Sequence, residues 1–417
     1  MSSEGGPRAC KARWIDFLAE TTISHAGCPG QPASSRVRIL TTHTGSLPRP
    51  AELVRLLYAR EAGDPSADEV EFEALVGQAV REVVERQAAA GVDIVSDGEM
   101  SKVAYSTYVA ERLTGFQGEP IPRPANLDRR AFPGLEERPG PTAATMRTPS
   151  CNGPIAWRGD AQVQRDIANV LAAAQAVGKS PDEVFLTAAS PGVVWYFLTD
   201  AYYGSHEAYI AAIADAMRHE YRAIHRAGLL LQLDCPDLAG GWNRADFEHA
   251  DVAEFRKLVA LHIEALNHAL ADIPPERARL HVCWGNYNGP HLRDIPLREI
   301  IDLLLQARPA YLSFEGANPR HEHEWAVFEE VKLPDGKVIL PGVLDSTTNF
   351  VEHPELVAQR IGRYASVVGP EQVIASSDCG FATFAGSQSV HPLVAWRKLE
   401  SLAEGARLAS ERLARRS

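Results

Sequence analysis

The sequence has no apolar run near the roughly 18 residues of a membrane-spanning helix, so a helical membrane protein is not expected. Positive charge is also scarce. Lys and Arg number 42 against 54 Asp and Glu, a formal net charge of −12. Nucleic acid and anionic membrane surfaces both need Lys and Arg to neutralise phosphate, so neither is an expected partner. Neither a Walker A sequence nor a G-x-G-x-x-G occurs, which removes two phosphate-cradling signatures. Cysteine is sparse as well: Cys10, Cys28, Cys151, Cys235, Cys283 and Cys379 lie far apart in 417 residues. With no apolar export segment near the start, a disulfide framework is not expected, and reduced thiols in a cytoplasm are the default.

What is present is ordinary globular composition, 45% hydrophobic and 23% charged, in a chain long enough for a large core. Residues 1–35 are rich in Gly, Ser and Pro and read as a loosely ordered N-terminal extension. The apolar patch "WIDFLAE" within them could dock on the body or on a second copy in a homo-oligomer. From residue 36 to 417, short β-branched or apolar runs alternate with helix-period stretches. The runs are "RVRILTTH" (36–43), "GVDIVSDGE" (91–99), "VFLTAAS" (184–190), "LLLQLDCPD" (229–237), "LHVCWGN" (280–286), "YLSFEGA" (311–317), "VILPGVLD" (338–345) and "VIASSDCG" (373–380). Strands alternating with helices imply βαβ units and a parallel sheet. Eight units predict an α/β fold of the (β/α)8 TIM-barrel type, with a doubly wound open sheet as the alternative. Residues 103–160 break the alternation. They are Pro/Gly-rich, and a hairpin excursion or lid after the second strand is expected there. Residues 388–416 predict a long helix packed on the barrel.

In a parallel barrel, chemistry collects at the C-terminal ends of the strands, and so do the polar residues of this chain. His43 and Ser46 follow the first run, Asp97 and Glu99 the second, Asp234 and Asp237 the fourth. His281 and Cys283 belong to the fifth, Glu315 to the sixth, Asp345 to the seventh, Asp378 and Cys379 to the eighth. His281 and Cys283 are two apart in a strand, so both point to one face. Alone, this pair reads equally as core packing. With Glu315 and Cys379 arriving from other strands, the four supply N, S, O and S donors, a set suited to Zn2+ and not to Mg2+ or Ca2+. Two thiolates and a carboxylate make such a site anionic and a weak Lewis acid toward a carbonyl. It can still lower the pKa of an incoming thiol from its free value of about 8.5. The expected reaction is alkylation of a small thiol at sulfur by an alkyl donor, with Glu315 the most replaceable ligand.

These residues carry a family resemblance. "TTHTGSLPRP", "SDGEMSK", "HVCWGNYNGP", "SFEGANPR", "GVLDS" and "SSDCGF" resemble the catalytic C-terminal half of cobalamin-independent methionine synthase. The longer stretches "SDGEMSKVAYSTYVAERLTGF" and "HVCWGNYNGPHLRDIPL" look closer to a single-barrel branch that includes the epoxyalkane:coenzyme M transferases. The resemblance implies a (β/α)8 fold with zinc on His281, Cys283, Glu315 and Cys379. It also implies that Ser46, Glu99 and Asp234 bind the thiol substrate, whose ammonium two carboxylates would favour.

The sequence departs from the synthase in three ways. Thr347 stands in "GVLDSTTN" where the synthase has a catalytic His, no Arg-Pro-Pro folate signature occurs around "TPSCNGPIAW", and there is no second barrel. Those departures favour a C–S bond-forming, epoxide-opening transferase over a stand-alone methyltetrahydrofolate-dependent homocysteine methyltransferase. His43, Tyr287 and His291 are the expected proton donors near the rim. A zinc lyase or hydrolase, and a non-catalytic zinc- or thiol-binding barrel, are the readings from other classes. "HEHEW" (321–325) reads as the solvated face of a helix start, and "LPDGKV" as a turn.

Overall fold

The computed structural model describes residues 38–65, 67–133, 146–387 and 389–415. The expected N-terminal extension, with its apolar patch, lies outside them. Among the described residues no helix is long and apolar enough to cross a membrane.

Eight parallel strands form one curled sheet: β1 Leu40–Thr41, β2 Val95–Ser96, β3 Val184–Ala189, β4 Leu230–Asp234, β5 Ala278–Val282, β6 Tyr311–Phe314, β7 Val338–Leu344 and β8 Ile374–Ser377. Their order is β1-β8-β7-β6-β5-β4-β3-β2. The N–H groups of Asp93 and Ile94 both donate to the Thr41 carbonyl, at 3.2 and 3.0 Å, and join the two ends of the sheet. The fold is a TIM barrel, as the eight alternating units predict, and the open-sheet alternative falls. β1 and β2 are only two residues long, so side-chain bonds secure the seam. Thr42 Oγ1 donates to the Ile94 carbonyl at 3.0 Å. The Asp93 carboxylate accepts from Thr41 N and Oγ1, both at 2.9 Å.

The helices follow their local signals. Asp68 caps Glu69–Ala89, Ser205 caps His206–Arg226, and a reciprocal capping box of Asp251 and Glu254 starts Val252–Ala269. The last helix, Pro392–Ala414, packs chiefly on Pro354–Val368 and touches β1, β7 and β8.

The described residues of 103–160 carry two short helices, Val109–Arg112 and Leu127–Ala131, and antiparallel bridges Leu113–Trp157 and Gly118–Ser150. The first helix is pinned to the barrel's outer shell by charge. Arg112, 5% exposed, reaches Asp166 at 2.5 Å and Glu220 at 2.6 Å, and Tyr108 donates to Glu220 at 2.8 Å. Removing the cation strands two buried carboxylates. Arg112→Ala is therefore expected to lower stability by about 3–5 kcal/mol, read as a fall in the urea midpoint. Removing Arg397 from its exposed pair with Glu400 leaves the midpoint in place.

Candidate active site

Strand period 2 sorts the barrel interior into layers. At the bottom, Leu40, Phe185, Leu230, Tyr311, Leu340 and Ile374 form a small apolar cluster. Two residues further along β3 and β4 come Thr187 and Gln232, with Arg279 of β5 in register beside Gln232 and His281 one step above it, beside Asp234. The Arg279 guanidinium lies 4.0 Å from the centroid of the Phe185 ring and donates to Thr42 Oγ1 and the His43 carbonyl, at 3.1 and 3.0 Å. Asp234, Cys283 and Glu315 stand at the C-terminal rim.

His281, Cys283 and Cys379 converge there. Their ligand atoms all lie within 4.8 Å of one another, and all three residues are buried. His281 Nδ1 bonds Ser313 Oγ at 3.1 Å across the β5–β6 pair. That bond fixes the ring and leaves Nε2 for a ligand. Burial, with the Arg279 charge, lowers its pKa to about 3 and keeps it the neutral imidazole that a metal requires. The hydrogen bond with Cys283, and then burial, push the Cys379 thiol well above the usual range. Cys379 thus keeps its proton when no ion is near, and a soft divalent cation held there would displace it.

Glu315 stands beside this group, outside the three-residue cluster. Its Oε1 is 3.7 Å from Cys379 Sγ and accepts from Trp284 N–H at 2.8 Å; its Oε2 accepts from Asn318 Nδ2 at 2.7 Å. Asp378 builds the platform for that arrangement. It accepts from the N–H groups of Gly316, Ala317 and Asn318 at 2.8–2.9 Å, tying the end of β8 to the end of β6. The close approach needs glycine at 342, where a Cβ would fall 2.0 Å from Asp378 Oδ1. The β7–β8 register shift sits at the same place.

A cavity of about 510 Å3 is lined by His281, Cys283 and Cys379 together with Ser46, Glu99 and Asp234. Glu99 follows Gly98, and both have positive φ, 64° and 60°. A glutamate in that conformation is strained. It is held by Arg49, which donates to the Glu99 carbonyl from Nε and Nη2 at 3.1 and 2.9 Å. Glycine at 45, with φ 141°, lets the first loop press on it, since a Cβ there would meet Glu99 Oε1 at 2.7 Å. Glu99 Oε1 accepts from Thr187 at 3.2 Å, while its buried Oε2 has no hydrogen-bond partner. Burial, and then the Glu99 charge, raise Asp234 well above the usual carboxylate range. Glu99 is raised by burial, with Lys102 and Arg49 opposing. Both acids therefore favour the protonated form more than an exposed carboxylate does, and an arriving cation would favour the charged one.

The three expected proton donors separate. Tyr287 lines the cavity, and burial raises its pKa, so the phenol keeps its proton at neutral pH. His43 does not reach the cavity. It is fully buried beneath the first loop, with Nε2 on Gln87 Oε1 at 2.7 Å and Nδ1 accepting from Gly45 N–H at 3.2 Å. Both nitrogens are committed to holding that loop. His291 is likewise engaged, by Asp294 at 2.8 Å and the Tyr287 carbonyl at 3.0 Å. Thr347 bonds Asp345 and is not in the cavity wall.

The reading of "HEHEW" as a solvated face needs correction. His323 is exposed, but His321 and Glu324 are 2% and 4% exposed. His321 stacks on Trp284 at 4.0 Å and bonds Asp294 at 2.9 Å and Glu324 at 2.8 Å. Tertiary packing turned that face inward, since the residues that bury it come from the segment after β5. Asn286 was also not anticipated. It links Gly380, Thr383 and Ser346 at 2.6–3.0 Å and so ties three loops of the rim. Its place two residues beyond Trp284 in "CWGN" was the available signal.

Residues 39–120 and 203–399 match the family described as cobalamin-independent synthase, catalytic domain. The chain belongs to this family. Among its relatives are the methionine synthase of Thermococcus kodakarensis, 24% identical over 90% of this chain and 94% of that protein, and that of Saccharolobus solfataricus, 25% identical over 90% and 96%. A B12-independent methionine synthase from Shewanella sp. W3-18-1, solved in complex with selenomethionine, shares the fold. Its TM-score is 0.68 at 20% identity, covering 90% of this chain and 99% of that one.

The buried His321 cation gives a pH signature. Burial opposes its charge, but the bonds to Asp294 and Glu324 outweigh it and raise its pKa to about 10. A raised folded pKa stabilises fully below the unfolded value of about 6.5, and the gain is lost as pH climbs to about 10. In urea unfolding, the stability gap between wild type and His321→Gln is expected to narrow steadily across that window. A constant gap would contradict it.

Proposed function

We propose that this chain transfers an alkyl group onto the sulfur of a small aminothiol, with zinc as its metal. The carrying observation is the convergence of His281, Cys283 and Cys379 in a cavity that Glu99 and Asp234 also line. The donor set N, S, S, with the Glu315 carboxylate at its edge, fits zinc and leaves room for an outside sulfur. Zinc bound there would make the incoming thiol a thiolate at neutral pH while leaving it nucleophilic.

The rest is done by the chain's own side chains. Glu99 and Asp234 take the ammonium, and the proton they share leaves to solvent. Ser46, whose Oγ lies against Gly380 next to Cys379, borders the space between the two ends. The sulfur then attacks the electrophilic carbon of the donor; the S–C bond forms as the bond from carbon to the leaving atom breaks. Of the expected donors Tyr287 belongs to the cavity wall, and it can protonate the leaving atom once the alkyl donor packs against its buried hydroxyl. Glu315 has a resting place on Trp284 N–H and Asn318, so yielding its position to the substrate sulfur exposes no unpaired carboxylate.

Of the acceptors raised by the sequence, the buried acid pair favours a thiol with an ammonium, as in homocysteine methylation, over one without. The relatives named methionine synthase support this direction.

The test uses the zinc-loaded chain in weak buffer. Cysteamine or homocysteine is expected to release more protons than 2-mercaptoethanol, because the acid pair adds to the thiol's own proton. Glu99→Gln should reduce that excess. In Cys379→Ser, retained zinc is expected to fall well below one per chain after gel filtration. Wild type without zinc, or zinc undisturbed by that substitution, overturns the proposal.

A further inference from the structure

We propose that the outer end of the cavity is an anion subsite centred on the Arg123 guanidinium, and that it holds an acidic group of the alkyl donor. This rests on the transferase reading above and adds the chemical class of the second substrate.

The cavity is polarised. Its lining carboxylates, Glu99 and Asp234, belong to the metal end, whereas three arginines, Arg123, Arg129 and Arg244, line the remainder. Arg244 is neutralised by Asp246, which accepts from Nε and Nη2 at 3.1 and 2.9 Å. Arg123 differs. Among the described residues no acceptor engages it, and its guanidinium lies 4.6 Å from the centroid of the Phe197 ring. Burial lowers its pKa from the usual arginine value, and the Arg244 and Arg129 charges act in the same sense. A cation that is desolvated, crowded by like charge and without an acceptor gains most from an anion delivered by a ligand.

Position supports the same conclusion. Arg123 sits in "PIPRP", and Pro120, Pro122 and Pro124 all line the cavity with it. Their fixed φ stiffens a segment that has no regular structure of its own. Cys283, Tyr196 and Arg123 line the same cavity, so the thiol's sulfur and the donor's acid share one space. The aromatic side chains Tyr105, Tyr196, Phe197 and Tyr287 between the ends suit a flat or apolar body.

The thiol is not the natural owner of the acid. Its sulfur belongs at the His/Cys group and its ammonium at Glu99 and Asp234; the carboxylate of homocysteine is borne by the same carbon as that ammonium and stays with it at the inner end. The anion therefore comes with the donor. The segment bearing Arg123 also falls in the gap between the two stretches matched to the family, 39–120 and 203–399.

The experiment titrates the zinc-loaded full chain calorimetrically with 2-naphthoate and with the neutral 2-naphthamide. Naphthoate is expected to bind at least about tenfold more tightly, the size of one charge-assisted bidentate contact. Arg123→Gln should erase the difference and Arg123→Lys should keep part of it, both with unchanged zinc content. Equal affinities in wild type, or a difference that survives Arg123→Gln, overturn the subsite. Repeating the titration with saturating homocysteine, which carries both an ammonium and a carboxylate, separates the sources. Undiminished naphthoate binding supports the donor assignment, and competition overturns it by giving the anion to the thiol. Selective naphthoate binding in a protein that shows no thiol-dependent proton release would sink the transferase reading while leaving the anion contact standing.

Discussion

Barrel closure is the constraint on which everything else depends. Cys379 follows β8 and His281 and Cys283 belong to β5 and its end, nearly a hundred residues earlier in the chain. They meet only because eight parallel strands curl until β1 and β2 are joined through Thr41 and Asp93. Two strands of two residues each cannot hold that seam by ladder bonds alone. The buried threonines and the Asp93 carboxylate complete it. Loosening the seam would splay the rim, and a donor set defined to within a few ångströms does not survive splaying.

Within the closed barrel, a single period of two carries each strand from core to chemistry. On β4 the inward row runs Leu230, Gln232, Asp234; on β5 it runs Arg279, His281, Cys283. Gln232 and its register partner Arg279 satisfy backbone carbonyls of the first loop, those of Thr44 and His43. The top step presents ligands. Polar residues so deep in a barrel are costly unless bonded, and nearly all of these are bonded to one another. Glu99 Oε2, like Gln232 Oε1 and Arg279 Nε, is buried without a hydrogen-bond partner. Arg49 lies 3.8 Å from it as an ion pair, and under the proposed function a substrate ammonium would supply the missing donor.

Much of this was legible in the sequence. The strand runs, the spacing of His281 and Cys283, and the arrival of Glu315 and Cys379 at strand ends follow from local pattern and from the barrel rule. What escaped depends on tertiary packing. His321 and Glu324 look like solvent-facing residues at a helix start. The Trp284 face and Asp294, from a segment with no periodicity, bury them. His43 sits in a motif-rich loop and invites a catalytic role, yet its nitrogens serve Gln87 and Gly45. Side-chain partners across 44 residues leave no local signature. The cationic end of the cavity escaped for the same reason, since "PIPRP" is simply irregular until its neighbours are known.

The central claim is that a metal with cysteine ligands takes up the substrate's sulfur. Zinc K-edge X-ray absorption on the purified chain tests this most directly. The account predicts two sulfur scatterers in the first shell of the resting protein and a third when an aminothiol is added. Zinc without sulfur neighbours, or a shell that ignores the thiol, would contradict it.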